Sequence, residues 1–276
     1  MNKNKFLRFS LGFALTLFTF MAVTTHGDVP GSPVTVDGKQ LTGVLRWKAV
    51  ARKYVITIAV GGATKQQIET ELAPEQIAKM QIAKPKDLDN AIRAVQSGKG
   101  ESVIGALDKI AQEYSMLQWD EQATRWLVEA YMQKGDANSA IKAAERTVAL
   151  RPETGYKGEM AVTYWQALLK GDRASKLEGL LDDAIKSGSR EATAYALILR
   201  GDLILKRGES NDNLENALIN GYLRVITLFR NVKAAQPEAL YKTAKCLEKL
   251  GQTARAGEQM DLLRKDFADS EWARKP

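Results

Sequence analysis

Cysteine and histidine are almost missing from this chain. Cys246 and His26 are the only ones among 276 residues. A single cysteine makes no intramolecular disulfide and no cysteine-based zinc site. A single histidine excludes a two-histidine metal site, and so near the N-terminus it gives no basis for a histidine-dependent triad. The glycine motifs of phosphate and dinucleotide loops are absent, as are H-E-x-x-H, G-x-S-x-G and an EF-hand loop. Gly98-Lys99-Gly100 lacks the strand and spacing of a phosphate loop. The acidic pairs Asp87/Asp89 and Asp182-Asp183 are a pattern that a two-carboxylate glycan hydrolase could use, but on helices such pairs serve as surface charge or helix-start acids. The expectation is therefore a non-enzymatic protein with no cofactor and no metal, and a carboxylate-only glycan hydrolase is the remote alternative.

A strong charge excess is also lacking, once position is considered. The chain has 40 Lys+Arg against 33 Asp+Glu, a formal +7. Three of those bases, Lys3, Lys5 and Arg8, precede an apolar run, Phe9–Val23, which is followed by Thr24-Thr25-His26-Gly27. This is the order of a secretory signal peptide. The run has 15 residues, shorter than the ~20 of a spanning helix. Residues 1–27 are expected to be a cleavable signal peptide, with an uncleaved membrane anchor as the alternative. No cysteine lies nearby for lipoprotein processing, so the expected destination is periplasmic or secreted. The hydrophobic fraction, 45%, suffices for a buried core.

Residues 28–84 are rich in β-branched and aromatic residues between glycine-bearing turns, which favours strands. Val34-Thr35-Val36 leads into Asp37-Gly38. Leu41–Trp47 and Tyr54–Val60 follow, then Gly61-Gly62, the alternating Gln67–Leu72, one helical turn at Pro74–Ile77 and a last strand at Met80–Ala83. Four or five short strands in so few residues suggest a small closed barrel or curled sheet, which avoids open edges. The order resembles Sm-like and SH3-like barrels. Many Sm-like proteins bind RNA, and Arg46, Lys48, Arg52 and Lys53 cluster about one hairpin with Trp47 and Tyr54 between them. The segment holds eight bases and five acids. Such a basic patch could bind RNA, polysaccharide or anionic lipid. The competing reading is a solvated hairpin whose aromatics lie in the core.

From Pro85 onward the apolar period becomes helical. Turns recur at Gly98, Gly135, Gly171, Gly208 and Gly251, at intervals of 37, 36, 37 and 43 residues. Such a recurrence marks stacked helical hairpins, each glycine permitting a reversal. In Glu121–Thr154, Leu127, Tyr131, Ala140 and Pro152 fall on the 34-residue pattern of the tetratricopeptide repeat, which this unit resembles. The other units depart from it: Val103, Ile110 and Tyr164 stand where small residues are usual, and the fourth unit carries an insertion around Asn211–Gly221. The last unit, Pro237–Pro276, with Phe267-Ala268-Asp269-Ser270-Glu271-Trp272-Ala273 at its end, is similar to the closing repeat of bacterial envelope tetratricopeptide proteins of the outer-membrane assembly and Tol–Pal coordinator types. Residues 85–276 are therefore expected to be mainly α, a superhelix of about five hairpins.

The tetratricopeptide resemblance implies a concave groove lined by the first helix of each hairpin. The positions it assigns there are Gln122, Arg125, Trp126, Glu129, Met132 and Gln133 in the second unit. Trp165, Leu168 and Leu169 would make an apolar floor in the third. Tyr195, Asp202 and Lys206 represent the fourth, and Tyr241, Lys242, Lys245 and Lys249 the last. Such a mixture suits an extended peptide or partner helix. Against this, Trp126 and Trp165 could pack between hairpins, the lysines could be a solvated face, and Cys246 reads as a small buried apolar residue. The resulting expectation is an exported scaffold of the bacterial cell envelope that binds a protein or peptide partner, with the basic β module as an alternative binding unit.

Overall fold

The computed structural model describes residues 27–60 and 66–276. Residues 1–26 of the expected signal peptide and the Gly61-Gly62 turn lie outside them. Six strands come first: β1 (Val29–Gly31), β2 (Val34–Thr35), β3 (Gly43–Lys48), β4 (Lys53–Val60), β5 (Gln66–Leu72) and β6 (Ile77–Lys79). They form one antiparallel sheet in the order β1-β3-β4-β5 and a separate β2–β6 ribbon. The expected closed barrel is corrected here: β5 pairs only with β4, so the sheet stays open. The final strand is Ile77–Lys79 rather than Met80–Ala83, although Gly31 bridges to Ile82.

The open sheet still has a core, because the helical part supplies its fourth wall. Leu45, Trp47, Tyr54, Ile56 and Leu72 are buried on one face together with Leu117, and Tyr114, Met116 and Trp119 pack against them. Those last four belong to the connection between the first two helical hairpins. Polar contacts fix this docking. The Tyr54 hydroxyl donates to the Met116 carbonyl at 2.9 Å, and Trp119 Nε1 donates to the Ile82 carbonyl at 3.0 Å. Beneath them Asp120, 3% exposed, accepts from the Met116 amide at 2.7 Å and stands 2.7 Å from the Arg151 guanidinium. Burial raises the Asp120 carboxyl above the usual range in spite of that cation.

The helices are α1 (Leu88–Gln96), α2 (Ile104–Glu113), α3 (Asp120–Lys134), α4 (Ala137–Leu150), α5 (Gly158–Lys170), α6 (Ala174–Ser187), α7 (Arg190–Lys206), α8 (Asn211–Ala217), α9 (Leu223–Leu228), α10 (Gln236–Lys249) and α11 (Thr253–Asp266). They pair as α1/α2, α3/α4, α5/α6, α7/α8–α9 and α10/α11. Each hairpin packs on the next through a continuous apolar interior. The α3/α4 hairpin shows how sequence sets the shape. Gly135 takes φ 83° and closes α3. Asp136 then caps α4 by accepting from the Ser139 amide at 2.9 Å. Ala140 is fully buried at the crossing, and Pro152 follows the end of α4 at Leu150.

Two other turns depart from that scheme. At the third turn the left-handed residue is Asp172, with φ 57°, whereas Gly171 has φ −85°. Gly171 is instead a packing requirement, since a Cβ there would come within 2.6 Å of Ile141 Cδ1. In the fourth hairpin the expected insertion is absorbed by a π-helical turn, Leu218–Tyr222, joining α8 to α9. That turn presses on α7, where Gly201 and Gly221 meet backbone to backbone.

Candidate interaction face

The first helices α3, α5, α7 and α10 contribute side chains to one cavity of about 600 Å³. Met132 of α3, Leu169 of α5, and Tyr195 and Leu199 of α7 form its apolar wall. Asp202, Glu238 and Lys242 form a polar floor, with Lys170 and Lys206 on one rim and Glu271 and Trp272 on the other. The helical period accounts for the grouping, since Tyr195, Leu199, Asp202 and Lys206 follow one another at three or four residues and share a face of α7.

The floor is a connected network. Lys242 Nζ lies 2.6 Å from Asp202 Oδ2 and 2.6 Å from Glu238 Oε1. The Tyr222 hydroxyl donates to Asp202 Oδ1 at 2.7 Å. Burial works against the Lys242 charge, but the two carboxylates outweigh it and raise its pKa above the ordinary lysine value. Burial and then the Asp202 charge push the Tyr222 hydroxyl up, so it remains a donor. These side chains are about four-fifths buried, which is where charge pairs hold fixed geometry.

Of the residues assigned to the groove from sequence, Met132, Leu169, Tyr195, Asp202, Lys206 and Lys242 meet in this cavity. Arg125 pairs with Glu159 at 2.6 Å and lies over the Trp126 ring. Trp126 is half-buried with its Nε1 unpartnered among the described residues, as is Gln122 Oε1; Glu129 is half-buried on the same helix. Gln133 is a tie between hairpins, donating to the Val95 carbonyl at 2.8 Å and accepting from the Gly100 amide at 3.1 Å. Trp165 is corrected outright: it is fully buried and donates to the Gly155 carbonyl at 2.8 Å, so it belongs to the core. Leu168 is likewise buried. Lys245 pairs with Glu248 at 3.1 Å, and Lys249 with Glu209. Tyr241 is covered by Trp272, their ring centroids 5.5 Å apart. Sequence reasoning placed Trp272 at a hairpin end; nothing in local spacing reveals that the chain returns across α10.

The basic patch has a different fate. Arg46 pairs with Glu69 at 2.6 Å, and Lys48 and Lys53 share Glu71 at 3.0 and 3.2 Å. These acids lie on β5, beside Lys53 on β4 and two strands from Arg46 and Lys48 on β3, so the cross-strand register pairs three of the four bases with two carboxylates. Arg52 sits in the β3–β4 turn with φ 51°. Trp47 and Tyr54 are buried in the sheet core and offer no stacking surface.

Among the described residues no group of three His, Cys, Asp or Glu side chains is arranged to hold a metal ion, and no helix is long and apolar enough to cross a membrane. The tetratricopeptide repeat family model matches residues 238–270, which is the α10/α11 hairpin. A comparison with curated proteins yields no match. Two crystal structures of Podosopora anserina putative kinesin light chain nearly identical TPR-like repeats, one of them a point variant, are similar to this chain. They are 16% and 15% identical with TM-scores of 0.47 and 0.46, covering 65% and 67% of this chain and 92% and 95% of theirs. The chain therefore carries a tetratricopeptide repeat in its last hairpin, a unit whose general use is protein interaction.

Proposed function

We propose that this protein is an exported, non-enzymatic repeat scaffold that binds an extended segment of a protein partner along the α3–α5–α7–α10 face. The observation that carries the proposal is a cavity of about 600 Å³ to which four of the five first helices, α3, α5, α7 and α10, contribute. It combines apolar wall residues with a fixed polar floor, the mixture that anchors and orients a peptide. Export rests on the order of basic, apolar and small residues in 1–27. A cell-envelope location fits the likeness of the last hairpin to envelope repeats.

A photo-cross-linking residue at Met132 or Lys170, introduced in the native host, should capture one defined protein. The same residue at exposed Lys142 on the outer helix α4 should not. Equal capture from both faces would overturn the assignment of the face, and fractionation of the same cells tests the location.

A further inference from the structure

We propose that Tyr241 and Lys242 form a subsite for an aromatic side chain carried on an extended segment, and that the free chain fills it with its own Trp272. The inference rests on the α3–α5–α7–α10 face being a partner site and names what its α10 end accepts.

After α11 the chain doubles back. The Ser270 amide donates to the Phe267 carbonyl at 3.0 Å, and a 3-10 turn, Trp272–Arg274, lays Trp272 on α10. The Trp272 ring is tilted 46° against Tyr241, and Lys242 Nζ lies 5.6 Å from its centroid. The ammonium does not depend on Trp272 for its position. Asp202 and Glu238 hold it from two sides at 2.6 Å each, and Tyr222 holds Asp202. A cation held in this way, next in sequence to the half-buried Tyr241 on α10, is prepared for an aromatic ligand, because its ordering cost is already met by the fold.

The segment that occupies this place is held as a ligand is held. No residue from Glu271 to Pro276 is fully buried. Its attachments to α10 include the Tyr241 pair, the Lys242 contact, Lys275 over the Tyr241 ring at 5.9 Å and one hydrogen bond from the Tyr241 hydroxyl to the Pro276 carbonyl at 3.2 Å, and Arg274 also donates back to the Asp269 carbonyl at 2.6 Å. Lys275 covers the outer face of the indole at 3.3 Å. Trp272 also walls the cavity that runs on to Leu199, Leu169 and Met132. A partner segment bringing an aromatic side chain to the α10 end must therefore displace Trp272.

The test uses the full chain, wild type and Trp272→Ala, with a peptide probe of residues 267–276 (FADSEWARKP) added in trans. A second probe has its tryptophan replaced by alanine. Polarisation of labelled probe should show saturable binding to the Trp272→Ala chain, about tenfold tighter than to wild type. The alanine probe should not bind, and adding Tyr241→Ala should weaken binding by about tenfold. Trp272→Lys opens the same place by a different side chain, and circular dichroism confirms that each variant keeps its helices. Equal binding to open and wild-type chains, or binding indifferent to the probe's tryptophan, overturns the proposal. No probe binding to either open variant, with a partner still captured at Met132, also overturns it and leaves the interaction face standing.

Discussion

The crossing in the fourth hairpin provides a stringent test, because one substitution should have opposite signs at different helical glycines. At Gly179 in α6 an added Cβ meets nothing within 4 Å. Alanine there should stabilise by about 0.8–1 kcal/mol, the helix-propensity difference from glycine. At Gly201 the same Cβ would come within 2.5 and 2.6 Å of Tyr222 ring carbons. Favourable carbon contacts lie at about 3.5–4.0 Å, so the ring must retreat by about 1 Å. It has nowhere to go: Tyr222 is 1% exposed and its hydroxyl is bound to Asp202. At Gly221 the obstacle is backbone, Leu197 O at 2.9 Å and Gly201 Cα at 3.0 Å. Overpacking of this kind costs about 1–3 kcal/mol. After the propensity gain is set against it, Gly201→Ala and Gly221→Ala should each lose up to about 2 kcal/mol. The informative quantity is the gap from Gly179→Ala, in which the propensity gain cancels and the overpacking cost of about 1–3 kcal/mol remains. Urea unfolding followed by far-ultraviolet dichroism gives the midpoints. Hydrogen exchange in α7 and α10 localises the loss, since stacked repeats need not unfold as one unit. Midpoints for Gly201→Ala and Gly221→Ala at or above wild type would refute the close-crossing argument.

Arg151→Met should destabilise by about 3–5 kcal/mol by leaving Asp120 charged and unpaired in the interior, measured as a lowered urea midpoint. Tyr54→Phe removes the hydroxyl that donates to Met116; a loss of about 0.5–1.5 kcal/mol is expected, appearing first as faster hydrogen exchange in β3 and β4. Burial holds the Cys246 thiol up at about 11 against 9.0 for a free one. The unfolded chain then ionises first, so this group's stabilisation is complete below pH 9 and is lost as pH rises towards 11. Wild type should lose more urea resistance across that window than Cys246→Ala does. For the β unit, salt-sensitive binding of the full chain to single-stranded RNA should be weak at low salt, measured by polarisation, because Glu69 and Glu71 pair with three of the four bases and Trp47 and Tyr54 are buried.

The helical hairpins are legible because their determinants are local. A left-handed glycine, an Asp136 cap, a small Ala140 and a Pro152 stop each act within a few residues, so spacing alone locates α3, α4 and their turn. The same logic misassigns Gly171. Glycine is required there by Ile141 of the preceding hairpin, a contact invisible to sequence spacing, while the left-handed turn passes to Asp172. The face is legible only in part for a related reason. Helical phase places Tyr195, Asp202 and Lys242 together, but it cannot distinguish Trp165, which turns inward to the Gly155 carbonyl, from its neighbour Gln166 on the cavity.

The β unit shows the limit more sharply, because strand partners are distant in sequence. Clustered bases at Arg46, Lys48 and Lys53 are seen at once in the sequence. Their neutralising acids come from β5, placed beside them only through the register Thr57↔Glu69 and Val55↔Glu71 on the strand between. Closure is missed for the same reason. An amphipathic sheet of this length needs its apolar face covered, and barrel closure is the solution available within 28–84. The chain uses another: Leu117 and the flanking Tyr114, Met116 and Trp119, some 35 residues beyond the last strand, supply the cover. The sheet is therefore tied to the loop that leads into α3. Since Asp120 opens α3 and Arg151 closes α4, loosening the sheet should be felt at α3, the first helix of the proposed face, before it is felt at α10.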